Sequence, residues 1–293
     1  METILEQCAT PATPEINAHT ASTAAAQALP LSGIADHCAM FTGYIRSFLT
    51  GDEARYKHYR LKEEHTLHVA ALAESIARDE KVFAQDGKLA RALLLAALYH
   101  DLGRFRQLAE YGTFNDRQSV NHAEMSEKEL LRMGFLAMEA SDVRENALMG
   151  VRMHNRIEVP ETVTGGARAV ALAVRDADKL DILRIMRTQL CDDATPDPVV
   201  VLHVRDSKEV SPAMLEAALA KKTPRYEVMQ TTADFRLLLC LWVYDLTYAS
   251  SRRMAAASGH VRAFLAGLPD TKPIRAFTAR FIKDMEAYGP DFG

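Results

Sequence analysis

The feature that most constrains this chain is a run of apolar residues that ends in two polar ones. Residues 93–104 have the sequence LLLAALYHDLGR, so a predicted helix is apolar on nearly every face before His100 and Asp101 follow. Such a helix is typical of a protein interior, and Gly103 is predicted to end it. An imidazole and a carboxylate at this position cost free energy unless a bound cation or hydrogen bonds compensate them.

The composition indicates a mostly helical protein with a large core. Apolar residues make up 48% of the 293 residues, with many repeats at helical spacing and few strand signals. The formal net charge of −4 argues against an extended nucleic-acid partner. The chain has no run of 18 apolar residues and no secretory signal pattern, so no membrane partner is expected. Four scattered cysteines without a CxxC motif are typical of reduced thiols, which predicts a cytoplasmic location.

The chain divides into three predicted regions. Residues 1–31 are rich in Ala, Thr and Pro, and we expect a disordered or loosely docked tail there. Residues 32–190 carry every candidate ligand, and residues 191–293 are predicted to form a C-terminal helical extension packed on them. In the extension we expect a short strand or extended piece at 199–202, helices at 211–220 and 271–287, and one long helix over 234–257 that holds Trp242.

Three further histidines lie along or at the ends of predicted apolar helix faces. His65 sits within the stripe of a helix over 53–78, whereas His68 falls about 60° to the side, at the edge of the stripe. His122 lies in the first turn of a later helix, and His154 ends the apolar stripe of the next one. Each of them alone is more often a satisfied core residue or a helix-start residue than a ligand. Their recurrence on successive helices points to a metal site.

Carboxylates interrupt a nearly all-apolar helix predicted over 167–186. Asp176 and Asp178 both align with apolar residues at helical spacing, so periodicity does not decide which of them faces the interior. A carboxylate on a buried helix needs a cation or several hydrogen-bond donors. Arg175 and Lys179 are the partners that would serve without a metal.

The order of these groups resembles a known family. The segments EHTLHVAALAESIA, LLLAALYHDLGRF and AVRDADKLDIL are similar to the three core motifs of the HD superfamily of metal-dependent phosphohydrolases. The resemblance covers about residues 60–190. His122 and His154 extend it to the HD proteins with a two-metal site, which include the HD-GYP phosphodiesterases. It implies an all-α HD-domain helical bundle with an additional C-terminal helical region.

The resemblance also implies a set of metal ligands. It favours Asp178 over Asp176 as the last ligand, because ADKL matches the usual final motif. Imidazole and carboxylate ligands suit divalent Mn, Fe, Co, Ni or Zn. Six groups exceed the need of one tetrahedral zinc and suit two ions that activate a water for attack at phosphorus. The implied ligands are His65, His100, Asp101 and Asp178 for the first ion, with Asp101 bridging to a second ion held by His122 and His154.

The residues around the ligands bear on the substrate. The HD-GYP signature is absent, and Asn155 follows His154 where those proteins carry a second histidine, which argues against cyclic-di-GMP. The segment after Asp101 is expected to be a loop or a short broken helix, and specificity is expected to lie in residues 105–119 and the C-terminal helices. Arg104 stands where many relatives have lysine, and a bidentate arginine suits a phosphate. The expected catalytic residues are Asp101, Arg104 and Lys179, and the expected substrate-binding residues are Arg104, Arg117, Asn155 and Lys179.

Three functions compete at this point. The first is a phosphohydrolase that cleaves a nucleotide or another phosphate mono- or diester, with a small phosphorylated substrate as its partner. The second is a di-iron oxygenase, because some HD-fold proteins with this ligand set cleave C–H or C–P bonds. The third is a non-catalytic effector-binding module, against which the complete ligand set argues. The C-terminal third lacks ligand spacing and offers packing residues, so a homodimer is a further expectation.

Overall fold

The computed structural model describes residues 32–49, 53–192 and 196–289. These residues form helices, loops and one isolated bridge between Arg205 and Thr231, and no strand occurs among them. The all-α prediction is therefore confirmed. The predicted N-terminal tail lies outside the described residues. Within the described part of the chain, no helix is both long enough and apolar enough to cross a membrane.

The fold consists of α-helices joined by loops and by turns of 3-10 helix. The 3-10 turns of the described part are Ser32–Ile34, Asp116–Gln118, Tyr226–Val228 and Trp242–Asp245. The α-helices are α1 (Ala35–Arg46), α2 (Glu53–Asp79), α3 (Lys81–Ala84), α4 (Gly87–Tyr99), α5 (Leu102–Tyr111), α6 (His122–Met133), α7 (Ser141–Met153), α8 (Gly165–Cys191), α9 (Pro212–Ala220), α10 (Thr232–Leu241), α11 (Ala249–Ala257), α12 (His260–Ala266) and α13 (Lys272–Glu286).

Helix α4 lies at the centre of the first core because its side chains are apolar on almost every face. The Asp86 carboxylate caps the helix by accepting hydrogen bonds from the backbone N–H groups of Lys88 and Leu89, at 3.1 and 3.0 Å. Helices α2, α7 and α8 pack around it. Leu93 and Leu95 are fully buried, and burying a leucine contributes about 1.5–3 kcal/mol. This packing fixes where α4 ends, and therefore where His100 and Asp101 lie.

Helix α8 is shared by two hydrophobic cores. Val170 and Val174, in its first half, pack into the core around α4. Leu183 and Leu190, in its second half, pack into a core formed with α9 to α13. The C-terminal helices therefore hold one half of the helix that carries Asp178. The domain boundary near residue 190 stays a prediction.

The prediction of one helix over 234–257 is wrong. The chain forms α10, the 3-10 turn Trp242–Asp245 and α11, with an extended break between the last two. At this break the backbone N–H groups of Thr247 and Tyr248 donate to the carboxylate of Asp176, at distances of 2.9–3.0 Å. These donors are used for a tertiary contact instead of continuing a helix.

The prediction that Gly103 ends the preceding helix is also wrong. The chain turns at His100 and Asp101, and Gly103 lies in the first turn of α5. A Cβ on Gly103 would lie 2.5 Å from the backbone nitrogen of Ser126 and 2.8 Å from the carbonyl oxygen of His122. Gly103 is thus required for the close approach of α5 and α6. The segment after Asp101 is a ten-residue helix rather than the predicted loop or broken helix.

Of the remaining predictions in the extension, one is wrong and two are confirmed. The strand or extended piece expected at 199–202 is a turn, in which Leu202 and His203 adopt left-handed backbone angles (φ 56° and 57°). The helices predicted at 211–220 and 271–287 are found as α9 and α13, within one residue at each end.

Close packing of α7 against α4 and α8 gives a stability prediction. A Cβ on Gly150 of α7 would lie 2.7 Å from Ala96 Cβ and 2.8 Å from Val170 Cγ1. We expect Gly150→Ala to lower the free energy of unfolding by about 1–3 kcal/mol, measured by urea denaturation. Gly43→Ala in α1 is the matched control, because nothing lies within 4 Å of its Cβ position, and it should raise that free energy by about 0.5–1 kcal/mol. A Gly150→Ala protein as stable as the wild type would contradict the packing.

Candidate metal centre

The carboxylate of Asp101 lies between two pairs of imidazoles and is almost completely buried. Its Oδ2 is 3.6 Å from His65 Nε2 and 3.7 Å from His100 Nε2. Its Oδ1 is 3.5 Å from His122 Nε2 and 3.7 Å from His154 Nε2. Each carboxylate oxygen therefore faces one pair of histidines, which is the arrangement that a bridging ligand requires.

Asp178 adds a second carboxylate on one side of Asp101. Its Oδ1 is 3.1 Å from His65 Nε2 and 3.7 Å from His100 Nε2. The ligand atoms of His65, His100 and Asp178 all lie within 4.8 Å of one another, and so do those of His100, Asp101 and His154. Each set of three is close enough to hold one metal ion.

Five helical segments bring these six groups together, and we call the six groups the metal centre. Helix α2 carries its group within an apolar stripe, whereas α4 and α7 each end at the residue before their groups begin. Helix α6 begins with its ligand, and α8 carries one between its two cores. The groups are His65 (α2), His100 and Asp101 (after α4), His122 (α6), His154 (after α7) and Asp178 (α8).

Two of the histidines have a fixed tautomer. The Nδ1 atom of His100 lies 2.8 Å from the carbonyl oxygen of Ala97. The Nδ1 atom of His154 lies 2.7 Å from the carbonyl oxygen of Val151. Because a carbonyl only accepts hydrogen bonds, each neutral ring carries its proton on Nδ1 and presents Nε2 as a lone pair.

The other two histidines follow the same pattern with carboxylates as acceptors. His65 Nδ1 lies 2.7 Å from Asp181 Oδ2, and His122 Nδ1 lies 2.6 Å from Asp116 Oδ2. Burial raises the pKa of Asp181, but the hydrogen bonds from its histidine partners outweigh burial and hold that pKa below the ordinary value. The pKa of Asp116 is lowered against burial by His122 and by the charge of Arg104. Both groups therefore remain carboxylate acceptors.

The convergence of the Nε2 atoms tests whether a metal fits. The Nε2 atoms of His65 and His100 are 3.3 Å apart, and those of His122 and His154 are 2.9 Å apart. Two lone pairs at such distances repel each other unless a proton or a metal ion lies between them. Histidines that metals bind characteristically donate their other ring N–H to a carbonyl or a carboxylate. The donor set therefore fits a divalent ion at each oxygen of Asp101.

Comparison with protein families agrees with this geometry. Residues 63–183 match the family model described as the HD domain. These residues form an HD domain. The predicted resemblance is thereby confirmed, and HD domains form a superfamily of metal-dependent phosphohydrolases. Searches of the curated proteins and of the solved structures found no match to the chain.

Sequence reasoning missed several residues that support the ligands of the HD domain. Lys62 Nζ donates to Asp101 Oδ2 at 2.7 Å, and Lys62 precedes His65 by three residues on the same face of α2. That spacing is a signal that could have found it. Asp181 follows Asp178 by three residues on α8, which is a similar signal. Asp116 begins the 3-10 turn Asp116–Gln118, and its contact with His122, six residues later, depends on how the chain folds between α5 and α6.

Arg104 both borders the metal centre and positions one of its histidines. Its Nε lies 3.5 Å from Asp101 Oδ1 and has no hydrogen-bond partner among the described residues. Its Nη1 donates to Asp116 Oδ1 at 2.9 Å, and the other oxygen of Asp116 accepts from His122. The ring of Phe114 lies 5.8 Å from the Arg104 guanidinium carbon.

The other predicted substrate-binding residues contact polar partners outside the six proposed ligands. Asn155 Nδ2 donates to Asn121 Oδ1 at 3.0 Å, and its buried Oδ1 has no partner among the described residues. Lys179 Nζ lies 3.7 Å from Asp245, and burial lowers its pKa. Arg117 is exposed and forms an ion pair with Glu227 of the C-terminal region.

Charges in the metal centre favour cation binding. Burial and Lys62 lower the pKa of His65, but hydrogen bonds to Asp178 and Asp181 outweigh them and raise it. Metal binding at Nε2 requires the neutral ring, so it would compete with protonation of His65. Burial and the charge of Arg104 lower the pKa of His122 to about 3, which keeps its lone pair available in neutral solution.

The roles of Asp176 and Asp178 can be separated by substitution. Asp178 faces His65 and His100, whereas buried Asp176 accepts backbone N–H groups of Thr247 and Tyr248. We expect Asp178→Asn to weaken Mn²⁺ binding by more than about tenfold in a competitive chelator titration. We expect Asp176→Asn to leave Mn²⁺ affinity unchanged and to lower the free energy of unfolding by about 1–3 kcal/mol, because one donor loses its acceptor. The reverse assignment of the two effects would contradict the geometry.

Proposed function

We propose that this protein is a metal-dependent phosphohydrolase that cleaves a phosphate mono- or diester. The observation that carries the proposal is the convergence of four Nε2 lone pairs on the two oxygens of buried Asp101. The HD domain over residues 63–183 supports the same class of reaction. A complete ligand set supports a catalytic role over a binding module, because a binding module does not need all six ligands.

The residues of the metal centre would hold two divalent ions, with Asp101 as the shared ligand. Bound ions would supply Lewis acidity and lower the pKa of a water so that it can attack phosphorus at neutral pH. Asp101 stays ionised because Lys62, His100 and Arg104 outweigh the effect of burial and hold its pKa well below the ordinary value. The proposed ligands are His65, His100, Asp101 and Asp178 on one side, and Asp101, His122 and His154 on the other.

The side of the metal centre formed by Asp178, Lys62 and Arg104 is partly exposed, and we call it the mouth. The exposed fractions of these three side chains are 18%, 17% and 15%. The imidazoles of His65 and His100 retain 1% or less. A substrate phosphate would therefore approach along the first three side chains, while the histidines stay shielded from bulk water.

Cationic side chains at the mouth suit the charge of a phosphate. Lys62 donates to Asp101 Oδ2, the oxygen that faces His65 and His100. When an ion binds this oxygen, the ammonium of Lys62 can turn its N–H donors to a phosphate oxygen. The unpartnered Nε of Arg104 offers a further donor beside Asp101 Oδ1. These two cations would bind and orient the phosphate against the attacking water.

The first experiment measures phosphate release from nucleotides, sugar phosphates and phosphodiesters by the Mn²⁺-loaded protein. We expect turnover of at least one ester, and a loss of at least about a hundredfold in Asp101→Asn, because the bridging charge disappears. Asp142→Asn is the matched control, because Asp142 is exposed and pairs with Lys88 at the protein surface. It should retain the wild-type rate.

Two outcomes would contradict the proposal. Equal turnover by the wild type and Asp101→Asn would show that the metal centre does not carry the reaction. Iron-dependent oxygen consumption without phosphate release would favour the di-iron oxygenase considered from the sequence.

A further inference from the structure

The C-terminal region contributes aromatic side chains beside the metal centre. Lys179, the residue after Asp178, places its Nζ 6.0 Å from the centroid of the Trp242 ring. Tyr226 packs edge-to-face against the same tryptophan, with ring centroids 6.3 Å apart and an interplanar angle of 81°. A short series of contacts therefore leads from Asp178 to Tyr226. Both aromatic residues lie outside the HD domain match.

Tyr226 differs from Trp242 in its exposure. The tryptophan is buried, whereas Tyr226 keeps 47% of its surface exposed. Burial of the Tyr226 hydroxyl raises its pKa, and the charges of Asp178 and Arg104, two residues of the mouth, act on the same hydroxyl. Tyr226 therefore presents a partly exposed ring that packs against Trp242, with its hydroxyl close enough to Asp178 and Arg104 to interact with their charges.

An ion pair ties the segment of Tyr226 to the HD domain. Glu227, the next residue, pairs with Arg117 of the loop between α5 and α6. The same loop carries Phe114, whose ring centroid lies 5.4 Å from Lys62 Nζ and 5.8 Å from the Arg104 guanidinium carbon. The ion pair thus ties the segment of Tyr226 to the loop whose Phe114 packs against the two cations that would bind a substrate phosphate.

We infer that Tyr226, supported by Trp242, stacks against a nucleobase and makes the substrate a nucleoside phosphate. The inference rests on the proposed function, because it assumes that the phosphate lies at the metal centre between Lys62 and Arg104. The rest of the ester then extends outward through the mouth, where the exposed ring lies. A nucleobase has a flat π-face that such a ring binds, and an aliphatic alcohol does not. Tyr226 is therefore a specificity-determining residue.

The sole tryptophan of the chain gives a binding signal that needs no turnover. Trp242 emission is recorded by stopped flow at constant Mn²⁺ while AMP, GMP, CMP, UMP or ribose 5-phosphate is added. We expect a saturable change with at least one nucleotide, and at least about tenfold weaker binding of ribose 5-phosphate, which has the same phosphate without a base. The emission change follows from the contact between Tyr226 and Trp242.

Variants of Tyr226 test the ring itself. Stacking on an aromatic side chain predicts that Tyr226→Ala raises the nucleotide Kd by about five- to 150-fold relative to that of ribose 5-phosphate. Tyr226→Phe keeps the ring, so its nucleotide Kd should stay within about twofold of the wild-type value. Tyr111→Ala is the matched control, because Tyr111 is exposed to a similar extent at 45%, and it should leave the ratio of the two Kd values unchanged.

The outcomes separate this inference from the proposed function. Any of three results overturns the inference. Ribose 5-phosphate binds as tightly as every nucleotide, no nucleotide changes the Trp242 emission, or Tyr226→Ala leaves the ratio of the two Kd values unchanged. Hydrolysis of ribose 5-phosphate without base preference leaves the proposed function in place and rejects the nucleobase. Tight, Tyr226-dependent nucleotide binding without phosphate release supports the stacking contact and counts against the hydrolase.

Discussion

A carboxylate buried among four imidazoles is the interaction on which the rest of this structure depends. Taking a charge out of water costs several kcal/mol unless partners compensate it, and Asp101 has Lys62 and Arg104 as its nearest cations. Those two cations compensate the charge of the carboxylate but not the four Nε2 lone pairs that face it. Each pair lies within 3.3 Å, with its protons held on the opposite ring nitrogens. The arrangement is favourable when positive charge lies between the rings, and divalent metal ions would supply that charge.

Helix α8 shows how three neighbouring carboxylates take three roles. Asp178 faces the metal centre, Asp181 accepts the Nδ1 proton of His65, and Asp176 binds the backbone N–H groups of a break between Trp242 and α11. The first two would act on metal binding, whereas the third connects the C-terminal helices to the HD domain. The same helix passes from one hydrophobic core into the other. The extension and the metal centre therefore depend on one rigid element, and the extension brings Tyr226 to the mouth.

Much of the candidate site could be predicted from the sequence, because its ligands follow helical periodicity. His65 within an apolar stripe and His100 at the end of a buried helix are visible without a structure. Residues that orient the ligands are harder to predict, since Asp116 and Lys62 act across tertiary contacts.

The errors about the fold have the same origin. Gly103 follows an apolar run, so it has the local pattern of a helix end, but its contact with α6 requires a helix there. The helix predicted over 234–257 breaks because Asp176, 71 residues away from Thr247, binds the backbone at the break. Local patterns predict helices well and do not reveal where a distant side chain takes a backbone donor.

Anomalous diffraction at the manganese edge, from crystals grown with Mn²⁺, would show directly whether Asp101 is shared by two ions. We expect two peaks per chain. One should contact Asp101 Oδ2 together with His65, and the other should contact Asp101 Oδ1 together with His122. A single peak, no peak at Asp101, or a peak that touches none of the Nε2 atoms would contradict the account.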